Sequence, residues 1–419
     1  MPETSAEIVA VGSELLLGQH VDTNSAWISS RLAEVGVDVY RHTTVGDNVG
    51  RMVEALHQAC GRARTVIVTG GLGPTADDLT RVAVARLAGA QLQRHDEIVA
   101  YLRDHFRRGG RQMPASNLLQ ADIPAGARVL EPVGTAPGFA IDVDESTVWC
   151  VPGVPREMTV MVTRDIIPAL QRLGAAAATV SRVVRTSGMA ESAVDEACAE
   201  VTRRLEAMGN PTLAFLASRG ETRVRLTAKA ADREAALALL DPLVDELVEV
   251  LGANVVGLDD EGVEWAVARQ LRRLALTLAV AESVTGGGVG ARLVTVPGAS
   301  DWFAGSLVTY ATEAKMRLAG VDPSLLESCG PVSQATAVAL AEGARARLAA
   351  DVGLSVVGVA GPTTQGGQPV GLTWVATALP DGSSEASSRR LPARSRPDVQ
   401  EFAVSMALDF LRRQLAELS

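Results

Sequence analysis

The chain has 419 residues, 47% of them apolar, and a formal charge of −10 at neutral pH. That length predicts about three domains, and the acidic balance excludes a general nucleic-acid binder, which needs a basic face or stripe. The cysteines at 60, 150, 198 and 329 are scattered, which excludes a metal knuckle or a disulfide framework and predicts a reducing, cytoplasmic setting.

Residues 1–7 are acidic and lack a signal-peptide pattern. No apolar run approaches the roughly eighteen residues of a membrane span. The first 170 residues alternate short apolar runs with helical patterns. Strands are predicted over 8–11, 37–40 and 65–69, and helices over 25–34, 49–60 and 76–87. Such alternation predicts an α/β, three-layer, doubly wound domain with a parallel sheet. Its ligands would bind beyond the carboxyl ends of the strands.

TGGLGPTADDLT (69–80) follows a buried strand and opens a helix. Gly70, Gly71 and Gly73 let backbone N–H groups approach a ligand. Thr75 is predicted to cap the helix, with Asp78 as its acidic capping partner. A helix N-terminus favours phosphate. Asp77 and Asp78 beside a phosphate suggest a divalent metal; the alternative is that both carboxylates only satisfy the helix dipole. Glu14 in 12–14, the 22–24 cluster, Asp47 in 45–48, and the turns at 134–138 and 152–157 fall at expected strand ends and together would line one crevice.

A low-complexity join at 174–178 marks a boundary. Residues 179–254 read as a small α+β unit, with strands over 180–185, 212–218 and 222–228 and helices over 191–205 and 235–251. The alternating arginines at 223 and 225 read as RNA contacts or as a solvated strand face.

The last unit, 255–419, carries a second constellation. A strand over 276–281 delivers Glu282 and Ser283 to the glycine turn 286–288. Further strands are predicted over 354–359 and 373–378, and helices over 334–349 and 398–415. The chain has only two lysines, Lys229 and Lys315, against thirty-seven arginines. A lysine retained against that bias is a candidate for chemistry that needs a neutral amine, which Arg cannot supply. All five histidines lie before residue 106, so Lys315 is the available base for a serine nucleophile, with Tyr310 near enough in sequence to orient it. The turn would point N–H groups at a developing oxyanion. The alternatives are that Ser283 or Thr285 caps a helix and that Lys315 is a surface lysine.

The chain resembles the CinA (competence/damage-inducible) family throughout. GSELLLGQHVDTNS (12–25), VGDN (45–48), TGGLGPTADDLT, MPASNLLQADIPAGA (113–127), GTAPG (134–138) and VPGVPREM (151–158) match its molybdopterin-binding-like first domain. AESVTGG (281–287), VPGASDWFAGSLVTYATEAK (296–315), GPVS (330–333), GVAGP (358–362) and PVGLTWVA (369–376) match its nicotinamide-nucleotide amidase domain. The resemblance implies domains at 1–173, 179–254 (KH-like) and 255–419. It implies a bifunctional hydrolase. The first domain would cleave the pyrophosphate of ADP-ribose or NAD-like dinucleotides, with Asp77 and Asp78 on a divalent metal and Glu14, Asp47, Gly70, Gly71, Gly73 and Thr75 at the nucleotide. The third would deamidate nicotinamide mononucleotide without a cofactor. Ser283 would be nucleophile, Lys315 base and Tyr310 its aid, with Thr285, Gly286, Gly287, Gly361 and Arg396 at the substrate and Arg394 a rival to Arg396. A homodimer acting on small nucleotides, away from membrane and nucleic acid, is implied.

Four positions depart from the family pattern. Leu119 replaces a lysine in the first domain. Val284 replaces a cysteine, Val357 a hydroxyl residue, and Gln400 an arginine in the third. These departures predict a weakened amidase or one aimed at another pyridine nucleotide. Two further readings stay open: activity in the first domain only, with the amidase fold as scaffold, or a non-enzymatic competence and DNA-damage interaction protein. Molybdopterin handling by the first domain rests on fold analogy.

Overall fold

The computed structural model describes residues 5–172, 178–218, 220–392 and 395–418. Most of the join at 174–178, Arg219 and Arg394 lie outside the described residues. The chain divides into two compact units, 1–180 with 228–239, and 181–227 with 240–419. Among the described residues no helix is long and apolar enough to cross a membrane.

In the first unit, Asp38–Val45, Ser5–Val11, Thr65–Thr69 and Ser146–Val151 lie side by side in parallel, and Gly138–Val143 and Arg128–Leu130 extend the sheet antiparallel. The sheet is therefore mixed where the sequence predicts a parallel one. Alternating side chains explain the layering. Val9, Val11, Val66 and Val68 face one apolar cluster with Met52, Leu56 and Leu102. Ile8 and Ile67 face another with Ile28, Leu32 and Met161. A sheet buried on both faces is the three-layer arrangement. Ser5–Val11 is followed in the chain by a strand on one side and then by one on the other. That reversal opens a crevice at the carboxyl ends of the strands.

The second unit contains most of a four-stranded sheet ordered Thr212–Ser218, Glu221–Ala230, Ala178–Ser187, Val255–Leu258. It also contains a five-stranded sheet ordered Phe303–Val308, Leu278–Glu282, Val352–Gly358, Leu372–Ala378, Ser384–Arg390. The first three strands of the latter are parallel and the last two antiparallel. Strand Leu278–Glu282 is again a switch point, with its successors on opposite sides. Val280, Leu354 and Val356 pack against helices Val263–Leu274 and Arg396–Glu417. Ala279 and Ala281 pack against helix Gln334–Arg347.

Small residues set how closely these layers approach. A Cβ built on Gly343 would lie 1.9 Å from the carbonyl oxygen of Ala319, the last residue of helix Thr312–Ala319. That helix carries Lys315. Gly343 lies on helix Gln334–Arg347, so Gly343→Ala would force the two helices apart, and overpacking of this kind costs about 1–3 kcal/mol. The expected outcome is a lowered denaturation midpoint, measured by circular dichroism.

Candidate active site

Three strand ends converge in the second unit. Ser283 follows Leu278–Glu282, Thr309 follows Phe303–Val308, and Val359 to Gly361 follow Val352–Gly358. They border a cavity of about 270 Å³ whose walls include Ser283, Val284, Tyr310, Lys315, Val332, Gly361, Gln365 and Arg396. Lys315 Nζ lies 3.0 Å from Ser283 Oγ. Nζ also donates to the Thr309 carbonyl at 2.7 Å and, more weakly, to that of Tyr310 at 3.5 Å. Lys315 is 2% exposed, and among the described residues it forms no ion pair. Burial therefore lowers its pKa from 10.5 to about 8, because an ammonium without a counter-ion is poorly solvated there. Lys229, by contrast, is exposed.

Tyr310 is placed differently from expectation. Its phenol is exposed and meets Arg396, not Lys315. Tyr310 meets Lys315 instead through its backbone carbonyl, which accepts from Nζ at 3.5 Å. Arg396 opens helix Arg396–Glu417 and donates to the Gly361 carbonyl at 2.8 Å. Tyr310, Gly361 and Arg396 thus border one side of the cavity together.

The glycine turn does not offer the expected oxyanion donors. The N–H groups of Gly287, Val289 and Gly290 donate to the Glu282 carboxylate at 3.1, 2.9 and 2.8 Å. Thr285 Oγ1 and Ser306 Oγ donate to the same carboxylate at 2.7 and 2.8 Å. The N–H of Gly286 closes a turn onto the Ser283 carbonyl. Thr285, Gly286 and Gly287 are therefore held by Glu282 or by the turn, and none of the three lines the cavity. The positive φ angles of Gly286 and Gly287, 62° and 104°, are what their glycines permit. Glu282, given no role from sequence, is fully buried at the centre of this turn. A glutamate between an apolar strand and a serine was the available signal.

The departures at 357 and 400 have structural answers. Val357 is fully buried among Ala281, Ala337 and Leu340, and is not a cavity wall. The weakening expected from a hydroxyl missing there loses its basis. Gln400 Nε2 donates to the Val284 carbonyl at 3.1 Å, so a donor persists at that position.

In the first unit a cavity of about 300 Å³ lies at the ends of Ser5–Val11 and Thr65–Thr69, lined by Glu14, His20, Asp22, Asn24, Thr69 and Gly153 among others. Asn24 fixes one wall by donating to Thr69 Oγ1 and to the Gly153 carbonyl. The other expected clusters are not among its walls. Asp47 and Ser13 bond reciprocally through side chain and backbone. Gly70, Gly71 and Gly73 sit in a loop closed on itself. A Cβ on Gly70 would lie 2.4 Å from the Val11 carbonyl oxygen, and one on Gly71 2.3 Å from Thr80 Oγ1. Buried Arg81 donates to the carbonyls of Leu72 and Gly73. Asp78 accepts from the N–H groups of Gly73 and Thr75, both at 2.8 Å, and from the Thr75 hydroxyl.

Those bonds overturn the capping expectation. Thr75 caps no helix, because Asp78 folds back on the loop and the helix begins at Thr80. Asp77 is exposed. Among the described residues no group of three or more Asp, Glu, His or Cys side chains is arranged to hold a metal ion. Two carboxylates, one of them engaged in the loop, do not fit a resident cation, which needs a fuller oxygen shell.

Lys315→Met tests the burial of the amine. The folded pKa lies below the unfolded one, so between about pH 8 and 10.5 the unfolded chain binds more protons and stability rises with pH. The variant is expected to be more stable at pH 7, by on the order of 2 kcal/mol. Its advantage should shrink as pH climbs from 8 towards 10.5, as read from denaturation midpoints.

Family models match in three segments: "Probable molybdopterin binding domain" over 7–172, "Damage-inducible protein CinA KH domain" over 181–257, and "CinA C-terminal domain" over 260–415. A CinA-like protein of Frankia casuarinae is 48% identical, covering 99% of this chain and 96% of that protein. One from Parasynechococcus marenigrum is 43% identical, covering 99% of each. A crystal structure of a CinA protein of unknown function from Thermoplasma acidophilum is 34% identical over 38% of this chain and 94% of its own, with a TM-score of 0.36. The end-to-end similarity to these relatives makes the chain a member of the CinA family.

Proposed function

We propose that the second unit is a serine amidase that converts nicotinamide mononucleotide to its acid form. The observation that carries the reading is the 3.0 Å approach of Ser283 Oγ to a buried Lys315 whose pKa is lowered to about 8. A nucleophile within hydrogen-bond reach of a base tuned near working pH is the geometry acyl transfer requires. Neutral Lys315 takes the Ser283 proton as Oγ bonds to the carboxamide carbon. The C–N bond then breaks, and Lys315 returns the proton to the departing ammonia. Water attacks the resulting ester with Lys315 again as base, releasing acid and free serine. Arg396 at the cavity supports the phosphate assignment, since a guanidinium matches phosphate geometry.

Ammonia release from nicotinamide mononucleotide is the test. Ser283→Ala and Lys315→Ala should lose at least about a thousandfold in kcat. Lys315→Arg should be as inactive, because Arg keeps its proton. Only neutral Lys315 is a base, so kcat should rise about tenfold per pH unit below 8 and level off above it. A parent enzyme that releases no ammonia while remaining folded would sink this reading.

For the first unit we propose hydrolysis of an ADP-ribose-type pyrophosphate, supported by the cavity at the ends of Ser5–Val11 and Thr65–Thr69. Any divalent ion would arrive with the substrate phosphates. Glu14→Ala and Asn24→Ala should each abolish release of AMP from ADP-ribose while leaving ammonia release intact. AMP release at the parental rate by both variants would refute the assignment.

A further inference from the structure

The nucleophile turn is organised around one side chain that the proposed chemistry does not use. Glu282 is fully buried, yet its carboxylate has no cationic partner among the described residues. Five neutral donors surround it. Oε2 accepts from Thr285 Oγ1 and the N–H groups of Gly287 and Val289, while Oε1 accepts from Gly290 N–H and Ser306 Oγ. Burying a carboxylate among neutral donors is expensive unless its lone pairs are filled, and here they are filled from both sides of the serine. Four donors come from the turn and helix that follow Ser283. The fifth comes from the neighbouring strand Phe303–Val308.

The same residue reaches the base through its backbone. The Glu282 carbonyl accepts from Thr309 N–H at 2.7 Å. The Thr309 carbonyl in turn accepts from Lys315 Nζ at 2.7 Å. On the opposite edge, Ser283 N–H donates to the Val356 carbonyl at 2.9 Å. Ser283 therefore sits between two fixed strands, with its own turn drawn under it by the Glu282 carboxylate.

We infer that Glu282 is a positioning residue, whose carboxylate holds the 283–290 turn so that Ser283 Oγ meets Lys315 in the geometry of attack. The inference rests on the amidase reading for its substrate, but not for its geometry. Glutamine at this position has one acceptor oxygen and one NH2 group. Whichever way the amide turns, its NH2 faces at least one backbone N–H of the turn or helix, which has nowhere else to donate. The turn must shift to relieve that pairing, and Ser283 shifts with it.

The experiment uses two readouts on the full chain. One is steady-state deamidation of nicotinamide mononucleotide across pH 6–10. The other is the rate at which a fluorophosphonate probe labels Ser283, which needs no pyridine nucleotide. Glu282→Gln is expected to lower kcat by about 10- to 100-fold, with KM within about threefold of the parent. Labelling should fall by a similar factor, and the pH limb near 8 should stay in place, because Lys315 is untouched. Ser306→Ala removes one donor from the edge of the network and is expected to lower both rates several-fold in a protein of parental circular dichroism. Parental kcat and labelling in Glu282→Gln would overturn the inference, as would a displaced pH limb or a loss confined to KM. If Glu282→Gln does not fold, Ser306→Ala decides alone, and parental rates in it overturn the inference. A parent protein that labels at Ser283 but releases no ammonia refutes the substrate while leaving the positioning role to be read from labelling.

Discussion

A buried lysine with no ion-pair partner among the described residues is the constraint around which the second unit is arranged. Among the described residues, Lys315 Nζ bonds to a serine hydroxyl and two backbone carbonyls and to no carboxylate. Such an environment favours the neutral amine, and a neutral amine is a base. The rest of the local structure serves to keep that environment dry and fixed. Gly343 lets the lysine-bearing helix press against its neighbour. The parallel strands bring Ser283 and Thr309 to the same edge. The apolar cluster that includes Ala319, Val332 and Val359 closes the interior side.

The first unit follows the same layout. Both sheets are mixed, and both reverse direction of growth at the strand that begins the site. In each, a cavity lies beyond the carboxyl ends of the strands that flank the switch. That is where an open α/β sheet leaves space between loops running to opposite faces. The units differ in what fills that space. One presents a serine against an amine, and the other presents Glu14, His20, Asp22 and Asn24 without a nucleophile and base in contact.

Elements with strong local signals were legible from the sequence. Helix Val49–Cys60 and strands Thr65–Thr69 and Thr212–Ser218 stand where periodicity and apolar runs put them. Lys315 was legible because the chain uses arginine almost everywhere else. The misses have physical causes. Strand Ser384–Arg390 is largely exposed and lies at the sheet edge, so its sequence carries no apolar alternation. The helix expected from Ala76 starts at Thr80 because Asp78 bonds to Gly73 and Thr75 across the loop. Tyr310 turns its phenol to Arg396, a residue 86 positions away. Glu282 collects donors from two elements, and no local pattern encodes that. Side chains that join distant segments are specified by the fold as a whole, so one stretch of chain cannot announce them.

Asp78 gives the first unit a property of its own. Its carboxylate already occupies the loop amides that a phosphate would seek. A free anion must compete with one tethered a few bonds away, whose effective concentration is set by the chain and not by the solution. An anion would reach those amides only by displacing a carboxylate already bonded to each at 2.8 Å.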